Sequence, residues 1–317
     1  MAADRTESPD RQGRTDDDVH SPTTPERVAV TGGSGKLGRA VVRDLVEHGY
    51  EVVLLDRVPS PDPVDGVTFV RVDLADYGEV LQALTHVDDR YDSIDAVVHL
   101  GAIPAPGLVP NATLFTNNVT ASYNVFAAAR AAHIRNVVWA SSETLLGIPF
   151  DLDPPYLPVD EDYPVRPESS YSLGKAVDEE MARHFTRWDR QLKLIGLRFS
   201  NVMDDGDYEA FPFDESPEGR TFNLFSYIDA RDGAQAVRKA LQSDLVGFEA
   251  FIIANADTVM NTPTAVLADR YWPDVERRAA VEGNEPLLSS DKARDLLGFV
   301  PEYSWRTWGD RVGNHRS

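Results

Sequence analysis

The stretch Thr31-Gly32-Gly33-Ser34-Gly35-Lys36-Leu37-Gly38 joins a short apolar run, residues 27–31, to a segment with helical periodicity, residues 36–48. Glycines spaced in this way permit a tight turn, and they let the backbone approach a pyrophosphate at the N-terminus of a helix. A glycine triplet also occurs in ordinary loops, but a place between a strand and a helix is what the dinucleotide motif requires. The stretch therefore predicts a dinucleotide site, with cofactor contacts at Gly32, Gly35, Lys36, Leu37 and Gly38.

The same alternation of strand and helix continues along the chain. Apolar, β-branched runs predict strands at residues 27–31, 51–56, 67–72, 94–99, 136–140 and 192–199. Apolar residues at helical spacing predict helices at residues 36–48, 76–88, 118–133 and 170–188. Strands joined by crossover helices form a parallel sheet that is covered on both faces. The expected fold is thus α/β, a Rossmann-type doubly wound parallel sheet.

Three regions differ in composition. Residues 1–26 are polar and acidic and are expected to be a disordered tail. Residues 27–200 are expected to form the dinucleotide-binding domain with the catalytic residues. Residues 201–317 are expected to form a small α+β substrate cap, with helices near 229–241, 264–271 and 289–297 and a strand near 248–254. Some segments of this last region are expected to return to the Rossmann core.

Composition excludes several classes of function. The 317 residues include 31 Lys and Arg, 52 Asp and Glu and no cysteine, so the net charge is −21. Disulfides, thiolate nucleophiles and iron–sulfur clusters are excluded, and so acidic a chain is a poor ligand for nucleic acid. The seven histidines lack metal-ligand spacing, and no apolar run reaches the ~20 residues of a membrane span. We expect a soluble, cytoplasmic protein without a metal.

Lysine contributes only 5 of the 31 basic residues. An acidic surface with little lysine is typical of a protein from a high-salt cytoplasm, where carboxylates keep the chain hydrated. A GC-rich genome that favours Asp and Arg codons explains the composition equally well.

Two acids end predicted strands next to the glycine loop. Asp56 lies 24 positions after Gly32, where a carboxylate accepts hydrogen bonds from a ribose 2′-hydroxyl and repels a 2′-phosphate. This favours NAD. Arg57 and Lys36 are nearby cations that could serve a 2′-phosphate, so NADP remains an alternative. Asp73 is placed either to reach an adenine amino group or to close the turn after its strand.

Tyr171 and Lys175 are four residues apart in a predicted helix, so their side chains project one turn apart from one face. A phenol is a weak base at neutral pH, and a neighbouring ammonium stabilises its phenolate. Ser142, at the end of a predicted strand, could hold a substrate oxygen beside the tyrosine. A Tyr-x-x-x-Lys spacing alone often consists of exposed residues without a function. The presence of Ser142 favours a catalytic role for the pair.

From about residue 27 to residue 305, the chain resembles the extended short-chain dehydrogenase/reductases of the NAD-dependent epimerase/dehydratase family. The motifs that carry the resemblance are the glycine loop, Asp56, Val72-Asp73-Leu74, His99-Leu-Gly-Ala102, Asn118-Val-Thr-Ala-Ser-Tyr-Asn-Val125, Trp139-Ala-Ser-Ser-Glu-Thr-Leu-Leu-Gly147, Tyr171-Ser-Leu-Gly-Lys175, Arg198-Phe-Ser-Asn201 and Ser289-Ser-Asp-Lys-Ala-Arg-Asp-Leu-Leu-Gly-Phe299.

The resemblance implies roles for these residues. Tyr171 would be the general acid/base, and Lys175 would support it and bind the nicotinamide ribose. Ser142 would hydrogen-bond the reacting oxygen. Asn118 would support a proton relay through the lysine, or pack against the active-site helix. Further cofactor contacts are implied for Leu74, Leu100, Gly101, Ala102 and Val202, and Asn201 would lie near the nicotinamide and the substrate.

Departures from the family pattern narrow the reaction. Thr144 stands where the dehydratases have the glutamate that removes a sugar proton, so dehydration is not expected. About 25 residues separate Asn201 from Tyr227, roughly half the span that is usual in nucleotide-sugar epimerases. The shorter span resembles that of uronate and sugar dehydrogenases. It therefore favours a free sugar, a sugar acid or a sugar phosphate as the substrate.

Two further residue types bear on the substrate. Glu143 could select a substrate hydroxyl, or it could be a solvated carboxylate at the pocket rim. An anionic substrate would need a counter-charge, for which the candidates are Arg166, Arg198, Arg220 and Arg231. Arg231 is the first choice because it lies near the predicted start of a helix.

The leading hypothesis is an NAD-dependent oxidoreductase of carbohydrate metabolism that transfers a hydride at a hydroxyl-bearing carbon of a sugar-type substrate. A nucleotide-sugar epimerase with bound NAD would use the same serine, tyrosine and lysine. A non-catalytic dinucleotide sensor is a third hypothesis, although a sensor has no need of all three side chains. The resemblance also implies a homodimer that pairs through the helices at residues 118–133 and 170–188.

Overall fold

Short runs of β-branched residues form the strands of a central sheet. The computed structural model describes residues 27–85, 90–149 and 152–308. The strands in these ranges are β1 (Arg27–Thr31), β2 (Glu51–Asp56), β3 (Thr68–Arg71), β4 (Ala96–His99), β5 (Asn136–Ser142), β6 (Tyr156–Leu157), β7 (Lys193–Phe199), β8 (Val202–Met203), β9 (Ile228–Asp229), β10 (Gly247–Ile253) and β11 (Glu276–Arg277). The α-helices are α1 (Lys36–Glu47), α2 (Tyr77–Thr85), α3 (Asn111–Ala131), α4 (Ser170–Trp188), α5 (Ala230–Gln242), α6 (Thr264–Tyr271) and α7 (Asp291–Leu297).

The main sheet has seven strands in the order β10-β7-β5-β4-β1-β2-β3, and every neighbouring pair is parallel. The strand order reverses between β1 and β4, which lie side by side with Thr31 opposite His99. A reversal of this kind leaves a crevice outside the carboxyl ends of the strands, where ligands bind in open α/β sheets. The predicted Rossmann-type doubly wound fold is confirmed.

Helices cover both faces of the sheet, and each face has its own apolar cluster. On one face, Val41 and Leu45 of α1 and Val237 of α5 are buried in a single cluster. On the other face, the buried residues include Phe126 of α3 and Phe185 of α4. Burial on both faces explains why the strands are almost continuously apolar.

The helix α5 and the strand β10 are among the late segments that return to the Rossmann core. α5 packs against α1, and β10 extends the sheet beside β7. Most of the remaining late segments surround a third apolar cluster, which includes Leu146, Tyr208 and Trp272. Two small sheets accompany it, β6 with β11 and β8 with β9. The boundary of a substrate cap at residue 201 stays a prediction.

The observed bounds of most elements lie within two residues of the predicted ones, and the start of α3 departs by more. α3 begins at Asn111, directly after Pro110 and seven residues before the predicted start. The prediction placed the start too late because the first turn lacks apolar periodicity. β5 continues past Ala140 to Ser142, which pairs with Phe199 of β7. The predicted tail at residues 1–26 and the end of the predicted helix at 86–88 lie outside the described residues. None of the helices in the described ranges combines the length and apolarity that crossing a bilayer demands.

Candidate active site

The carboxyl edge of the sheet opens into a cavity of about 800 Å³. Its walls come from the segments that follow β1, β2, β3, β4, β5 and β7, together with α3, α4 and Phe222. The residues that the sequence analysis assigns to cofactor, substrate and catalysis line this cavity, except for Asn118 and the four candidate arginines, Arg166, Arg198, Arg220 and Arg231. The fold thus brings together residues that are up to 190 positions apart in sequence, from Gly32 to Phe222.

The glycine loop is built so that larger side chains do not fit at two of its positions. Gly32 has a φ of +68°, and a Cβ there would lie 2.6 Å from the Cα of Gly101. A Cβ on Gly38 would lie 2.2 Å from the carbonyl oxygen of Gly32. Gly35, which caps the N-terminus of α1, has only that same oxygen within 4 Å of an added Cβ, at 3.4 Å.

The N-terminus of α1 is suited to an anion. The first turn of α1 carries no acidic side chain, so the partial positive charge of the helix end is not neutralised within the helix. The turn lies directly at the cavity, where Lys36, Leu37 and Gly38 form part of the wall. A phosphate group fits this position because unpaired N–H groups and the helix dipole converge on it.

Asp56 lies at the end of β2 and joins the loop to the sheet. Its Oδ2 accepts a hydrogen bond from the backbone N–H of Ser34 at 3.2 Å, and its Oδ1 accepts one from the N–H of Arg57 at 2.7 Å. Arg57 is exposed and lines the same wall, so the NAD and NADP alternatives both remain open. Asp73 accepts from the N–H of Ala75 at 3.0 Å, which is a turn contact, and also lines the cavity.

Ser142 ends β5 and caps the short 3₁₀ turn that follows. Its Oγ accepts hydrogen bonds from the N–H of Thr144 at 3.2 Å and from the hydroxyl of Thr144 at 2.9 Å. Because a serine hydroxyl has one hydrogen and two acceptor positions, both acceptor positions are occupied. The O–H of Ser142 is therefore available to donate to an oxygen in the cavity. Thr144 was not assigned to the site from sequence, although it sets this geometry.

Tyr171 lies in the first turn of α4, which a capping box fixes. Ser169 accepts from the N–H of Ser172 at 3.1 Å, and Ser172 Oγ accepts from the N–H of Ser169 at 2.9 Å. One turn on, the buried Lys175 places its Nζ 6.0 Å from the centroid of the Tyr171 ring. The phenol and the ammonium therefore line one wall of the cavity.

The Lys175 ammonium is held from behind. It donates to the carbonyl oxygen of Ala140 at 2.6 Å, and Asp178 Oδ2 lies 3.7 Å away. Burial raises the pKa of Asp178 to about 6, against the opposing effect of the lysine charge and the hydroxyl of Ser122. The lysine is thus fixed by a strand carbonyl and a carboxyl group in the protein interior.

Asn118 uses both ends of its amide on one loop residue. Its Oδ1 accepts from the N–H of Ile103 at 2.9 Å, and its Nδ2 donates to the carbonyl of Ile103 at 3.0 Å. Asn118 is buried and does not line the cavity, whereas Ile103 does. These contacts correspond to a role in holding the cavity wall in place.

Arg231, the first choice for a substrate counter-charge, is engaged outside the cavity. Its guanidinium donates to Asp229 at 2.9 and 2.7 Å and to Asp205 at 2.7 Å, and it stacks on the ring of Tyr303. The physical reason lies in Asp229, which caps α5 and is fully buried, so that its carboxylate requires a nearby cation. The structure therefore does not support Arg231 as a substrate residue.

Glu143 is a buried acid in the cavity wall, and the alternative of a solvated rim carboxylate is wrong. Its side chain is 4% exposed. Oε2 accepts from the hydroxyl of Ser200 at 2.5 Å, and Oε1 accepts from Asn223 at 3.3 Å. Burial raises the pKa of Glu143 to about 7, against these hydrogen bonds and the charge of Arg220. We call the part of the cavity around it, formed by Ser142, Glu143, Thr144, Ser200, Asn201 and Phe222, the serine end.

The acidic segment after β8 contacts the glycine loop. Lys36 forms an ion pair with Asp207, and its Nζ lies 3.9 Å from Asp204. Sequence reasoning did not find this contact, because nothing in the local pattern brings residue 207 next to residue 36. The lysine at the N-terminus of α1 is thus shared between the cavity and this segment.

His99 has a structural environment. It is fully buried, its Nδ1 lies 2.8 Å from Thr31 Oγ1, and burial lowers its pKa to about 3. The imidazole is therefore neutral at physiological pH. In the ranges that the structure describes, no three His, Asp or Glu side chains are grouped so that they could hold a metal ion.

The parallel sheet, its order and the glycine loop at the start of α1 define the chain as a Rossmann-type protein with the short-chain dehydrogenase/reductase fold. Residues 28–254 match the NAD dependent epimerase/dehydratase family. The chain belongs to this family, and the predicted resemblance is confirmed.

Known proteins show two kinds of relative. The chain is 29% identical to mouse UDP-glucose 4-epimerase over 222 residues, which cover 64% of this chain and 60% of that protein. A crystal structure of UDP-galactose 4-epimerase is similar with a TM-score of 0.64 and 27% identity, covering 91% of this chain and 99% of that one. A mutated uronate dehydrogenase is similar in fold, with a TM-score of 0.65 and 23% identity, covering 92% and 86%. The match spans about three fifths of the length of the curated epimerases.

Proposed function

We propose that this protein is an NAD-dependent oxidoreductase that acts at a hydroxyl-bearing carbon of a sugar-type substrate. The observation that carries the proposal is that Ser142, Tyr171 and Lys175 line the same cavity as the glycine loop and the N-terminus of α1. A hydroxyl donor, a phenol and an ammonium in one pocket are the groups needed to move a proton to or from a substrate oxygen.

The cavity fits a dinucleotide. The open face of Gly35 and the N-terminus of α1, whose first turn holds no acidic side chain, suit a pyrophosphate, and Asp56 suits a ribose hydroxyl. Leu74, Gly101 and Val202 supply apolar and backbone contacts along the walls. A bound nicotinamide would supply a two-electron hydride acceptor.

The chain's own residues manage the proton. Ser142 donates its O–H to the reacting oxygen, since its acceptor positions are already occupied by Thr144. Tyr171 takes the proton of a substrate hydroxyl, or returns it in the reverse direction. Lys175 stabilises the phenolate of Tyr171 through its charge, which the carbonyl of Ala140 holds in place.

A sugar-type substrate is supported by the relatives, which are named for UDP-glucose and UDP-galactose epimerisation and for uronate oxidation. The short segment between β8 and β9 supports a small substrate. It forms two 3₁₀ turns, Asp207–Ala210 and Pro217–Asn223, and contributes Phe222 to the cavity wall.

A second candidate is a nucleotide-sugar epimerase that keeps its NAD bound, and the similarity to UDP-glucose 4-epimerases favours it. The epimerase would use the same three residues but would return the hydride to the substrate. The two functions differ in stoichiometry, because only the dehydrogenase accumulates NADH.

The test is to incubate the purified protein with NAD or NADP and free sugars, sugar acids, sugar phosphates and nucleotide sugars, following the absorbance of reduced nicotinamide. We expect stoichiometric NADH with one substrate class, and a loss of roughly 100-fold or more in Tyr171→Phe. Tyr77→Phe, which changes an exposed tyrosine of α2, is the matched control and should retain the activity.

Two outcomes would contradict the proposal. Interconversion of a nucleotide sugar without net NADH would establish the epimerase. A Tyr171→Phe protein with undiminished turnover would remove the proposed acid/base.

We keep the homodimer as a separate prediction, to be checked by light scattering. Tyr123 of α3 and Leu173 and Trp188 of α4 are each about half exposed on the helices concerned.

A further inference from the structure

The four arginines that could neutralise an anionic substrate all have other partners. Arg166 pairs with Glu168 at 2.7 Å, and Arg198 pairs with the buried Glu179 at 2.9 Å. Arg231 is bound by Asp229 and Asp205, as described above. None of these three lines the cavity.

Arg220 is the nearest of the four to the serine end, but it lies behind the wall. Its guanidinium donates to the Oδ1 of Asn201 at 3.1 Å and to the carbonyl of Ser226 at 3.0 Å. It is buried against Phe213 and Phe222 and is absent from the cavity lining. Its charge acts on Glu143 from within the protein, so it is not presented to a ligand.

The serine end therefore contains an acidic side chain but no positively charged one. In the part of the chain that the structure describes, the cations that line the cavity are Lys36, Arg57 and Lys175. Lys36 begins α1 and Arg57 follows β2, and the Lys175 ammonium is already held by the Ala140 carbonyl. A carboxylate or phosphate placed beside Ser142 would share the serine end with Glu143.

The hydrogen bonds of Glu143 fix its orientation. Ser200 follows β7 and Asn223 ends the second 3₁₀ turn, so donors from two separate segments hold the two oxygens. A buried group held in this way does not swing out to solvent, and it excludes a ligand of like charge more strongly than a mobile surface acid does. A carboxylate oxygen has further acceptor positions, which suit the O–H groups of a polyol.

We propose that Glu143 is a specificity-determining residue that makes the serine end select an uncharged polyhydroxy substrate and reject one with a carboxylate or phosphate near the reacting carbon. The proposal rests on the proposed function and narrows its substrate class to neutral sugars. Discrimination here comes from a repulsive group as well as from the hydroxyl contacts.

The pH dependence gives a second signature. The groups that act on the carboxyl group of Glu143 are Ser200 and Asn201 after β7, and Asn223 and Arg220 from the 3₁₀ turn, and of these only Arg220 is charged. Glu143 gains its charge as the pH rises through about 7. Rejection of an anionic substrate should therefore strengthen between pH 6 and pH 8.5.

The experiment compares matched pairs, a neutral hexose and the uronate of the same configuration, with wild type and Glu143→Gln at pH 6 and pH 8.5. For wild type at pH 8.5 we expect kcat/KM for the neutral member to exceed that for the uronate at least tenfold. The ratio should fall about tenfold in Glu143→Gln and lose its pH dependence. Glu47→Gln, which removes an exposed carboxylate at the end of α1, should leave the ratio unchanged.

The outcomes separate this proposal from the proposed function. NADH formation with the uronate preferred at pH 8.5 would overturn the charge selection and leave the oxidoreductase standing. If no sugar is oxidised, the proposed function fails, and the rise in Tm caused by each hexose and uronate in the presence of NAD decides the charge preference. If Glu143→Gln does not fold, a pH-independent ratio in wild type overturns the proposal.

Discussion

Replacing Gly38 by alanine tests whether the glycine loop is as tightly built as its geometry indicates. The added Cβ would lie 2.2 Å from the carbonyl oxygen of Gly32 and 2.6 Å from the Cα of Gly33. Ordinary van der Waals contact begins at 3.4 Å, so the loop and α1 would have to separate by about 1.2 Å. Both opposing atoms belong to the backbone, and no side-chain rotation can relieve the overlap.

The expected loss of stability follows from two opposing terms. Overpacking of this kind costs about 3 kcal/mol, and alanine regains about 1 kcal/mol over glycine within a helix. A net loss of about 2 kcal/mol corresponds to a fall in Tm of roughly 3 °C for a chain of this length. A displacement of about 1 Å in a site that positions reactants also costs about 100-fold in turnover.

The assay is thermal unfolding followed by circular dichroism, together with a titration of NAD binding. Gly35→Ala is the control for the Tm measurement, because its Cβ meets only the Gly32 oxygen at 3.4 Å and its φ of −75° suits alanine. At Gly35, the loss of a favourable N-cap residue and the gain from restricting the unfolded chain are each about 1 kcal/mol and nearly offset. Equal Tm values for the two variants would refute the reasoning, since they would show that the loop relaxes freely.

Three further predictions concern polar side chains of the core and of the cavity. Arg198→Met should lower the free energy of unfolding, measured in urea, by about 3 to 5 kcal/mol, because it removes the cation that is hydrogen-bonded to the buried carboxylate of Glu179, and adding Glu179→Leu should restore part of the loss. A double variant no more stable than the single one would contradict this. Asp56→Asn should shift the ratio of KM values toward NADP at least tenfold, and an unchanged ratio would mean that the carboxylate does not face the ribose. Asn118→Ala should weaken NAD binding by releasing Ile103 while the pH profile of turnover stays the same, whereas an altered profile would favour a proton-relay role.

The main sheet could be predicted because parallel strands buried on both faces leave a direct trace in the sequence. β1 and β2 have the predicted bounds, and so does α4, whose capping serine and amphipathic pattern mark both ends. The start of α3 could not be predicted, because its first turns are rich in Asn and Thr. Periodicity could find β10, but its position beside β7 depends on a pairing that no local pattern records.

Only some of the side-chain roles in the site could be predicted from the sequence. Side chains whose roles depend on spacing along one element, such as Tyr171 and Lys175, could be found from sequence. The environment of Glu143 could not, because its partners Ser200 and Asn223 lie 57 and 80 positions away. For Arg231, its place near a helix start suggested a site for an anionic substrate. In the structure its guanidinium is instead paired with the buried carboxylate of Asp229, which sequence reasoning did not identify as its partner.

The walls of the cavity are drawn from segments that span residues 32 to 222, so the cavity exists only while the sheet is intact. Any molecule that occupies it must therefore bind the folded chain in preference to the unfolded one. At a concentration of 100 times its Kd, such a molecule adds about 2.7 kcal/mol to the free energy of unfolding. A library of metabolites can thus be ranked by melting temperature alone, without knowing which bond the protein breaks or whether any cofactor is consumed.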